Sequence, residues 1–142
     1  MQVQVLNRQR KHRIAAQDLA RFGIDLLPRV REIARTGELP EQILVALVSD
    51  RKISAIHKQF MNLACPTDVV TFQHGEIIIS VDTAARQASE YGTSLLHELR
   101  LYIAHGLLHL AGYDDHSKEG FQEMCALQEA FARDRPKLPR DK

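Results

Sequence analysis

The chain has 142 residues, of which 44% are hydrophobic and 26% are charged, and this balance is typical of one globular domain. Its formal net charge of +1 neither indicates nor excludes a nucleic-acid ligand, because a near-neutral total can conceal a one-sided basic patch. No apolar run is long enough to span a bilayer, and the first residues, MQVQV, lack the pattern of a secretion signal. We therefore expect a cytoplasmic protein that does not enter the membrane, with Cys65 and Cys125 as reduced thiols.

The first third of the chain predicts a strand, a basic connection, a helix and a second strand. Alternating valines at the amino terminus indicate the first strand. Residues 8–13 carry five basic side chains and form either a solvated connection or a phosphate-contacting patch. Apolar residues at helical spacing then predict a helix over residues 14–36, bent or split at Pro28. The apolar run 43–48 predicts a buried strand that ends at Ser49–Asp50, a pair that can cap the next helix.

The middle of the chain predicts a short helix, a hairpin and a further helix. The short helix covers residues 51–61. Two strands, 69–72 and 77–80, are separated by so few residues that a tight hairpin is expected. Asp82 can cap a helix that Gly92 ends.

The segment after Ser94 predicts the buried helix of the core. Ser94 can cap this helix, and leucine and isoleucine lie almost all round its circumference. Its polar exceptions share one stripe, because they are spaced by four, three and four residues; they are Glu98, Tyr102, His105 and His109. Polar side chains on a buried face need partners there.

A last helix and a basic tail complete the predicted organisation. Phe121, Met124 and Leu127 define the helix, and residues 133–142 form a tail that we expect to be frayed. Residues 1–132 are therefore predicted to form one α+β domain, with a small mixed sheet packed by helices around the buried helix.

The candidate functional residues lie at the end of the buried helix. His105 and His109 are one turn apart, so their imidazoles can converge on one metal ion. Gly112 ends the helix and lets Asp114, Asp115 and His116 fold back towards them. Imidazole and carboxylate are good zinc ligands, and three protein ligands leave a fourth position open, as in catalytic zinc sites. The alternative is that the two histidines are hydrogen-bonded residues of the core.

The closest metal motif with a known mechanism places a glutamate directly after the first histidine, as the general base of a protease. This chain has Gly106 at that position. Protease chemistry is therefore disfavoured, and a packing or access reason is expected for a glycine inside a helix.

The histidine motif and three upstream segments closely resemble the YbeY family of bacterial metal-dependent endoribonucleases. The segments are HGLLHLAGYD (105–114), PTDVVTF (66–72), GEIIIS (75–80) and HEL (97–99). The resemblance implies a zincin-like domain with one Zn²⁺ per chain, held by three side chains on and beyond the central helix. It also implies cleavage of single-stranded RNA in 16S rRNA 3′-end maturation and ribosome quality control, with the small ribosomal subunit as a partner.

The resemblance also assigns roles at the metal site. It implies that His105 and His109 are ligands at the catalytic centre, while Glu98 is either the hydrogen-bond partner of a ligand histidine or a charge on the helix surface. The family's usual third ligand is a histidine six residues after the second one, where this chain has Asp115. A carboxylate can take that role, so Asp115 is preferred to His116 as the third ligand.

The substrate side of the site departs from the family at one position. Thr67 and Asp68 are either turn-forming residues or contacts of the RNA cleft. The family commonly has an arginine where this chain has Met61, and a planar guanidinium would clamp a phosphate. Lys58 or Arg51 would have to substitute for it, and a lysine is only a point charge.

Two other functions remain open. One is a metal-dependent hydrolase of peptides or small molecules, against which Gly106 counts. The other is a ribosome-assembly factor whose metal is structural, which Met61 favours. The nucleophile of a nuclease would be either water or the RNA 2′-hydroxyl.

Overall fold

A four-stranded mixed sheet packed by helices forms the protein in the computed structural model, which describes residues 3–36, 39–53, 69–114 and 116–133. The strands are β1 (Val3–Asn7), β2 (Ile43–Val48), β3 (Val69–Phe72) and β4 (Glu76–Ser80). The helices are α1 (Ala16–Glu32), α2 (Val81–Tyr91), α3 (Leu95–Leu110) and α4 (Lys118–Arg133). The predicted mixture of helices with a small mixed sheet is confirmed.

Parts of the prediction lie outside the described residues. They are the helix over residues 51–61 beyond its first turn, Cys65, and the basic tail after Arg133. That first turn is described, and the predicted cap is confirmed, because the Ser49 hydroxyl accepts a hydrogen bond from the Lys52 backbone at 3.3 Å. Cys125 is a reduced, half-buried thiol on α4.

The sheet combines parallel pairs with one hairpin, in the order β1-β2-β4-β3. The β1–β2 and β2–β4 pairs are parallel, and β3–β4 is antiparallel, which confirms the predicted tight hairpin. Gly75 turns the hairpin at a φ of 116°, and its amide donates to the Phe72 carbonyl at 2.9 Å. A side chain there would collide with the Gln42 carbonyl oxygen, only 2.5 Å from the position of a Cβ.

The first helix is continuous where the sequence predicted a bend or a split. Pro28 lies inside α1 on its exposed side, and α1 ends at Glu32, before the predicted end at residue 36. Proline removes one helical hydrogen bond, but the neighbouring Leu27 and Val30 are fully buried. Their burial keeps the chain helical on both sides of the proline.

The two faces of the sheet contact different parts of the chain, because side chains alternate along each strand. The first face supplies Val45, Leu47 and Ile77 to the main core, which also contains side chains of α1 and α3. The second face supplies Ala46, Val48, Val70 and Ile78 to a smaller cluster with Ile53. The described helices α1 and α3 therefore cover one face of the sheet.

The buried helix of the core is α3, as predicted. Its cap is also confirmed, because the Ser94 hydroxyl accepts from the His97 amide at 3.0 Å. Most of its residues are buried, including Glu98 and His105. At 16 residues α3 is too short to cross a membrane, and no other described helix is long and apolar enough to do so.

Gly106 allows α3 to lie directly against β4. A Cβ at this position would lie 2.7 Å from Cδ1 and 2.8 Å from Cγ2 of Ile77. Ile77 is fully buried, so its side chain has little room to move away. The glycine inside the helix thus has the packing reason that the sequence led us to expect.

The cap of α2 differs from the prediction. Ser80 caps the helix, because its hydroxyl accepts from the Thr83 amide at 3.1 Å, so the prediction of Asp82 is wrong. Asp82 lies in the first turn and bonds elsewhere: its carboxylate accepts from the Asp50 amide at 2.8 Å and lies 3.1 Å from the His12 ring. The predicted end is confirmed at Gly92, where φ is 71°.

Asp50 is the centre of a polar network between the end of β2 and the start of α2. Its carboxylate accepts hydrogen bonds from Ser80 at 2.6 Å, Thr83 at 2.9 Å and Arg86 at 2.7 Å. Burial raises the pKa of the Asp50 carboxyl, but these hydrogen bonds and the Arg86 charge lower it by more. The pKa of Asp50 therefore lies below its ordinary value of 3.8.

Asp50→Asn is expected to lower the free energy of unfolding by about 1 kcal/mol near neutral pH, a modest effect because solvent screens this partly exposed side chain. A folded-state pKa below the unfolded value stabilises the protein above the unfolded pKa, and this stabilisation is lost as the pH falls through the folded pKa. Denaturant titrations of both proteins should therefore converge below about pH 4. Asp25→Asn, at an exposed position of α1, is the control. A difference that persists unchanged in acid would contradict the assignment.

Gly106→Ala is expected to reduce the free energy of unfolding by about 1–3 kcal/mol, because overpacking against Ile77 outweighs the higher helix propensity of alanine. In an Ile77→Ala background the colliding atoms are absent, so the same change should be neutral or stabilising by up to about 1 kcal/mol. Denaturant unfolding of the four proteins measures this coupling. Equal destabilisation in both backgrounds would show that the close contact is not the reason for the glycine.

Candidate metal centre

The structure brings the two predicted histidines of α3 together. The ring centroids of His105 and His109 are 4.6 Å apart, and the rings are nearly perpendicular at 81°. His105 is buried and His109 is half-buried. The two imidazoles therefore lie one helical turn apart, His105 in the interior and His109 nearer the surface.

Hydrogen bonds to oxygen determine which nitrogen of each ring carries the hydrogen. Nδ1 of His105 lies 2.8 Å from Oε1 of Gln128, and Nδ1 of His109 lies 3.1 Å from the carbonyl oxygen of Tyr113. Both oxygens can only accept, so each Nδ1 is the donor. In the neutral rings the lone pair is then on Nε2, the nitrogen that a metal ion would contact.

The acceptor of His109 is positioned by the turn at the end of α3. The helix ends at Leu110, and Gly112 has a φ of 99°, as its predicted role requires. The Tyr113 amide donates back to the Leu108 carbonyl at 3.0 Å. The Tyr113 carbonyl is thereby turned towards the imidazole of His109.

Tyr113 is held against the end of α1 and linked to α4. Its hydroxyl donates to the Ile33 carbonyl at 2.8 Å, and the Arg35 guanidinium lies 4.1 Å from the centre of its ring. Arg35 also forms an ion pair with Glu123 on α4, at 2.6 Å. Three segments distant in sequence therefore fix the turn that follows the histidines.

Glu98 lies apart from the histidine pair. It is seven residues before His105, about 10 Å along the helix axis, and its carboxylate accepts from the Thr93 hydroxyl at 2.7 Å. The predicted hydrogen bond from a ligand histidine to Glu98 is thus absent among the described residues, and Gln128 is the partner of His105 there.

Asp115, the preferred candidate for the third ligand, lies outside the described residues. His116 is exposed, and its backbone amide donates to the Asp114 side chain at 3.1 Å. In the described ranges no three His, Cys, Asp or Glu side chains form a metal-binding group. The other predicted site residues lie outside these ranges; they are Lys58, Met61, Thr67, Asp68 and Asp115.

Gln128 is the site residue that the sequence interpretation missed. It is buried on α4 beside Met124 and Phe131, on the face of the helix that contacts the core. A polar residue four positions after a buried methionine was the available signal, because a buried amide needs a partner. The identity of that partner depends on how α4 packs on α3, which local sequence does not show.

The donor set fits a zinc ion. Two neutral imidazoles on adjacent turns, each with Nδ1–H bonded to oxygen, have the tautomer and orientation that zinc-binding histidines use. Gly106 argues against a protease site, because the space beside it is filled by Ile77. A protease-type glutamate at that position would collide with the Ile77 side chain.

Several known proteins are similar to this chain over most of its length. The family model described as "Endoribonuclease YbeY" matches residues 4–134. Endoribonuclease YbeY of Moorella thermoacetica is 34% identical over 134 residues, covering 77% of this chain and 86% of that protein. The protein of the same name from Geobacter metallireducens is 31% identical over 141 residues, covering 87% and 86% of the two chains.

A solved structure has a similar fold over nearly its whole length. The solution structure of TM1509 from Thermotoga maritima superposes with a TM-score of 0.59 at 26% sequence identity. The match covers 99% of each chain. Together with the family match over residues 4–134, this shows that the chain belongs to the endoribonuclease YbeY family.

Proposed function

We propose that this protein is a zinc-dependent endoribonuclease that cleaves single-stranded RNA in 16S rRNA 3′-end maturation and ribosome quality control. The observation that carries the proposal is the pair His105 and His109, whose hydrogen bonds to oxygen give both rings the ligand tautomer. Membership of an endoribonuclease family supplies the substrate class. In this proposal the protein acts in the cytoplasm, and the small ribosomal subunit is its partner.

In this proposal Nε2 of His105, Nε2 of His109 and the carboxylate of Asp115 hold one zinc ion per chain, in a zincin-like arrangement. Bound zinc would supply a Lewis acid at the scissile phosphodiester. Gln128 and the Tyr113 carbonyl keep the two imidazoles in the required orientation, because each accepts the Nδ1 hydrogen. The half-buried position of His109 leaves this side of the pair closer to solvent, from which a large substrate must approach.

Thr67, Asp68 and Lys58 are proposed to contact the RNA. The chain has Met61 in place of the family's usual arginine, so these residues would position the phosphodiester without a guanidinium fork. Either water or the RNA 2′-hydroxyl would attack the phosphorus. A ribosome-assembly factor with a structural metal is the second candidate, because Met61 removes the group best suited to the charge that develops during cleavage.

His109→Ala is expected to abolish both zinc binding and cleavage of single-stranded rRNA, because it removes one of three ligands. Metal content by mass spectrometry and cleavage should be measured on the same preparations. His97→Ala, near the start of the same helix, is the control and should retain both properties. Zinc binding without cleavage in the wild type would favour the assembly factor, and a wild-type protein that binds no zinc would contradict the site.

Asp115→Asn and His116→Ala decide the third ligand. We expect the first to lose zinc and the second to keep it, because Asp115 is at the position of the family's third ligand, a carboxylate can bind zinc, and His116 is exposed. Competition with a chelator of known affinity gives the zinc Kd of each variant. The reverse result would assign His116 as the ligand.

Gln128→Leu is expected to weaken zinc binding about 10- to 100-fold, because His105 loses the acceptor that orients its ring. Gln128→Glu retains an acceptor oxygen and should bind zinc at least as tightly as the wild type. Gln122→Leu, at an exposed position of α4, is the matched control. An unchanged zinc Kd in Gln128→Leu would mean that the hydrogen bond does not support a metal ligand.

A further inference from the structure

A second polar surface lies where strands β1 and β2 end. A cavity of about 520 Å³ opens there, lined by Arg8, Val48, Ser49, Arg51 and Lys52. Because β1 and β2 are parallel neighbours, their carboxyl ends meet at the same edge of the sheet. We call this the cationic cavity.

The fold gathers these cations from two parts of the sequence. Arg8 directly follows β1, and its amide donates to the Leu47 carbonyl at 2.8 Å, which continues the strand pairing to this point. Ser49 follows β2 and caps the helical turn 50–53, which carries Arg51 and Lys52. Three cationic side chains thus line one space, although about forty residues separate Arg8 from the others.

The charge of the cavity is one-sided. Its described lining contains three cations and no acid, and all three cations are exposed. Over the described ranges none of them takes part in an ion pair. Such a site attracts an anion with several oxygens, and an arginine can bind a phosphate through two parallel hydrogen bonds.

A neighbouring cavity does not share this excess of positive charge. It has a volume of about 400 Å³, and its lining mixes both signs of charge: Lys11, His12, Asp50, Asp82 and Arg86. There Arg86 pairs with Asp50 at 2.7 Å, and His12 lies 3.1 Å from Asp82. The basic segment 8–13 therefore contributes to both cavities. Lys11 and His12 line the cavity that also contains acidic residues, whereas Arg8 lines the cationic cavity.

The cationic cavity is distant from the histidine pair. Gly23, in the middle of α1, packs against Val3 at the start of β1, so the last half of α1 extends past the amino ends of the strands. Tyr113, beside His109, contacts Ile33 at that far end of α1. The cavity lies at the opposite, carboxyl end of the strands.

We propose that the cationic cavity binds a backbone phosphate of the RNA strand at a point remote from the cleavage site. The proposal rests on the proposed function, which supplies RNA as the ligand. Arg8 and Arg51 bind the phosphate oxygens, Lys52 adds a point charge, and the Ser49 hydroxyl can donate its hydrogen. A contact of this kind positions RNA without reading its sequence.

The test measures binding of a fluorescent single-stranded RNA, long enough to span the sheet, by anisotropy over a range of salt concentrations. The double variant Arg8→Gln/Arg51→Gln should bind about tenfold more weakly, and its salt dependence should be shallower by about 0.7 in log–log slope for each lost phosphate contact. Arg21→Gln/Arg31→Gln removes the same charge from exposed positions of α1 and is the matched control. All four positions are exposed, so the variants should fold, which circular dichroism checks.

Equal weakening in both double variants would overturn the proposal, because it would show only a general effect of net charge. Failure of the wild type to bind RNA would also overturn it, as would displacement of the RNA by inorganic phosphate at a concentration comparable to the RNA Kd. His109→Ala separates this inference from the proposed nuclease: it should lose cleavage, and the weaker RNA binding of Arg8→Gln/Arg51→Gln should persist in that background. If the wild type binds RNA through Arg8 and Arg51 but never cleaves it, the cavity stands and the nuclease function fails.

Discussion

The close approach of α3 to β4 is the constraint on which the candidate site depends. With no side chain at position 106, the helix lies against Ile77 at a depth that any larger residue would prevent. Because successive helical residues are rotated by about 100°, this contact also determines where the neighbouring side chains point. His105 is directed towards Gln128 of α4, and His109 towards the turn at its own end of the helix. The absence of a side chain at position 106 thus helps to determine the directions of the two candidate ligand histidines.

The two imidazoles are held in similar ways by partners of different origin. His109 bonds a carbonyl four residues later, so its partner is local and depends on the positive φ of Gly112. His105 bonds a side chain 23 residues away, so its partner depends on the packing of a separate helix. Both solutions meet the same requirement, since a buried or half-buried imidazole loses its hydration and must find an acceptor in the protein.

Local sequence rules predicted much of the fold and, in the candidate site, the two neighbouring histidines but not Gln128. The histidine spacing, the Ser94 cap and the stop at Gly112 follow from helix geometry alone, and the structure confirms the cap and the stop. The local pattern predicted Asp82 as the cap of α2, but Ser80 has that role. Asp82 instead accepts a hydrogen bond from the Asp50 amide, a long-range contact that no local pattern shows. The partner of His105 and the grouping of Arg8 with Arg51 likewise depend on tertiary packing and on the pairing of parallel strands.

The position of Gln128 in the last described helix has a consequence for how the protein is made. Because α3 precedes α4 in the chain, His105 is synthesised before its acceptor Gln128, and the nascent chain contains the histidine for a time without that partner. The site can reach its final arrangement only when α4 has folded back onto α3. Premature termination between His109 and Gln128 therefore yields a chain that has both histidines but lacks the hydrogen-bond acceptor that orients His105. The arrangement of the two histidines is therefore complete only after translation has passed Gln128, near the end of the domain.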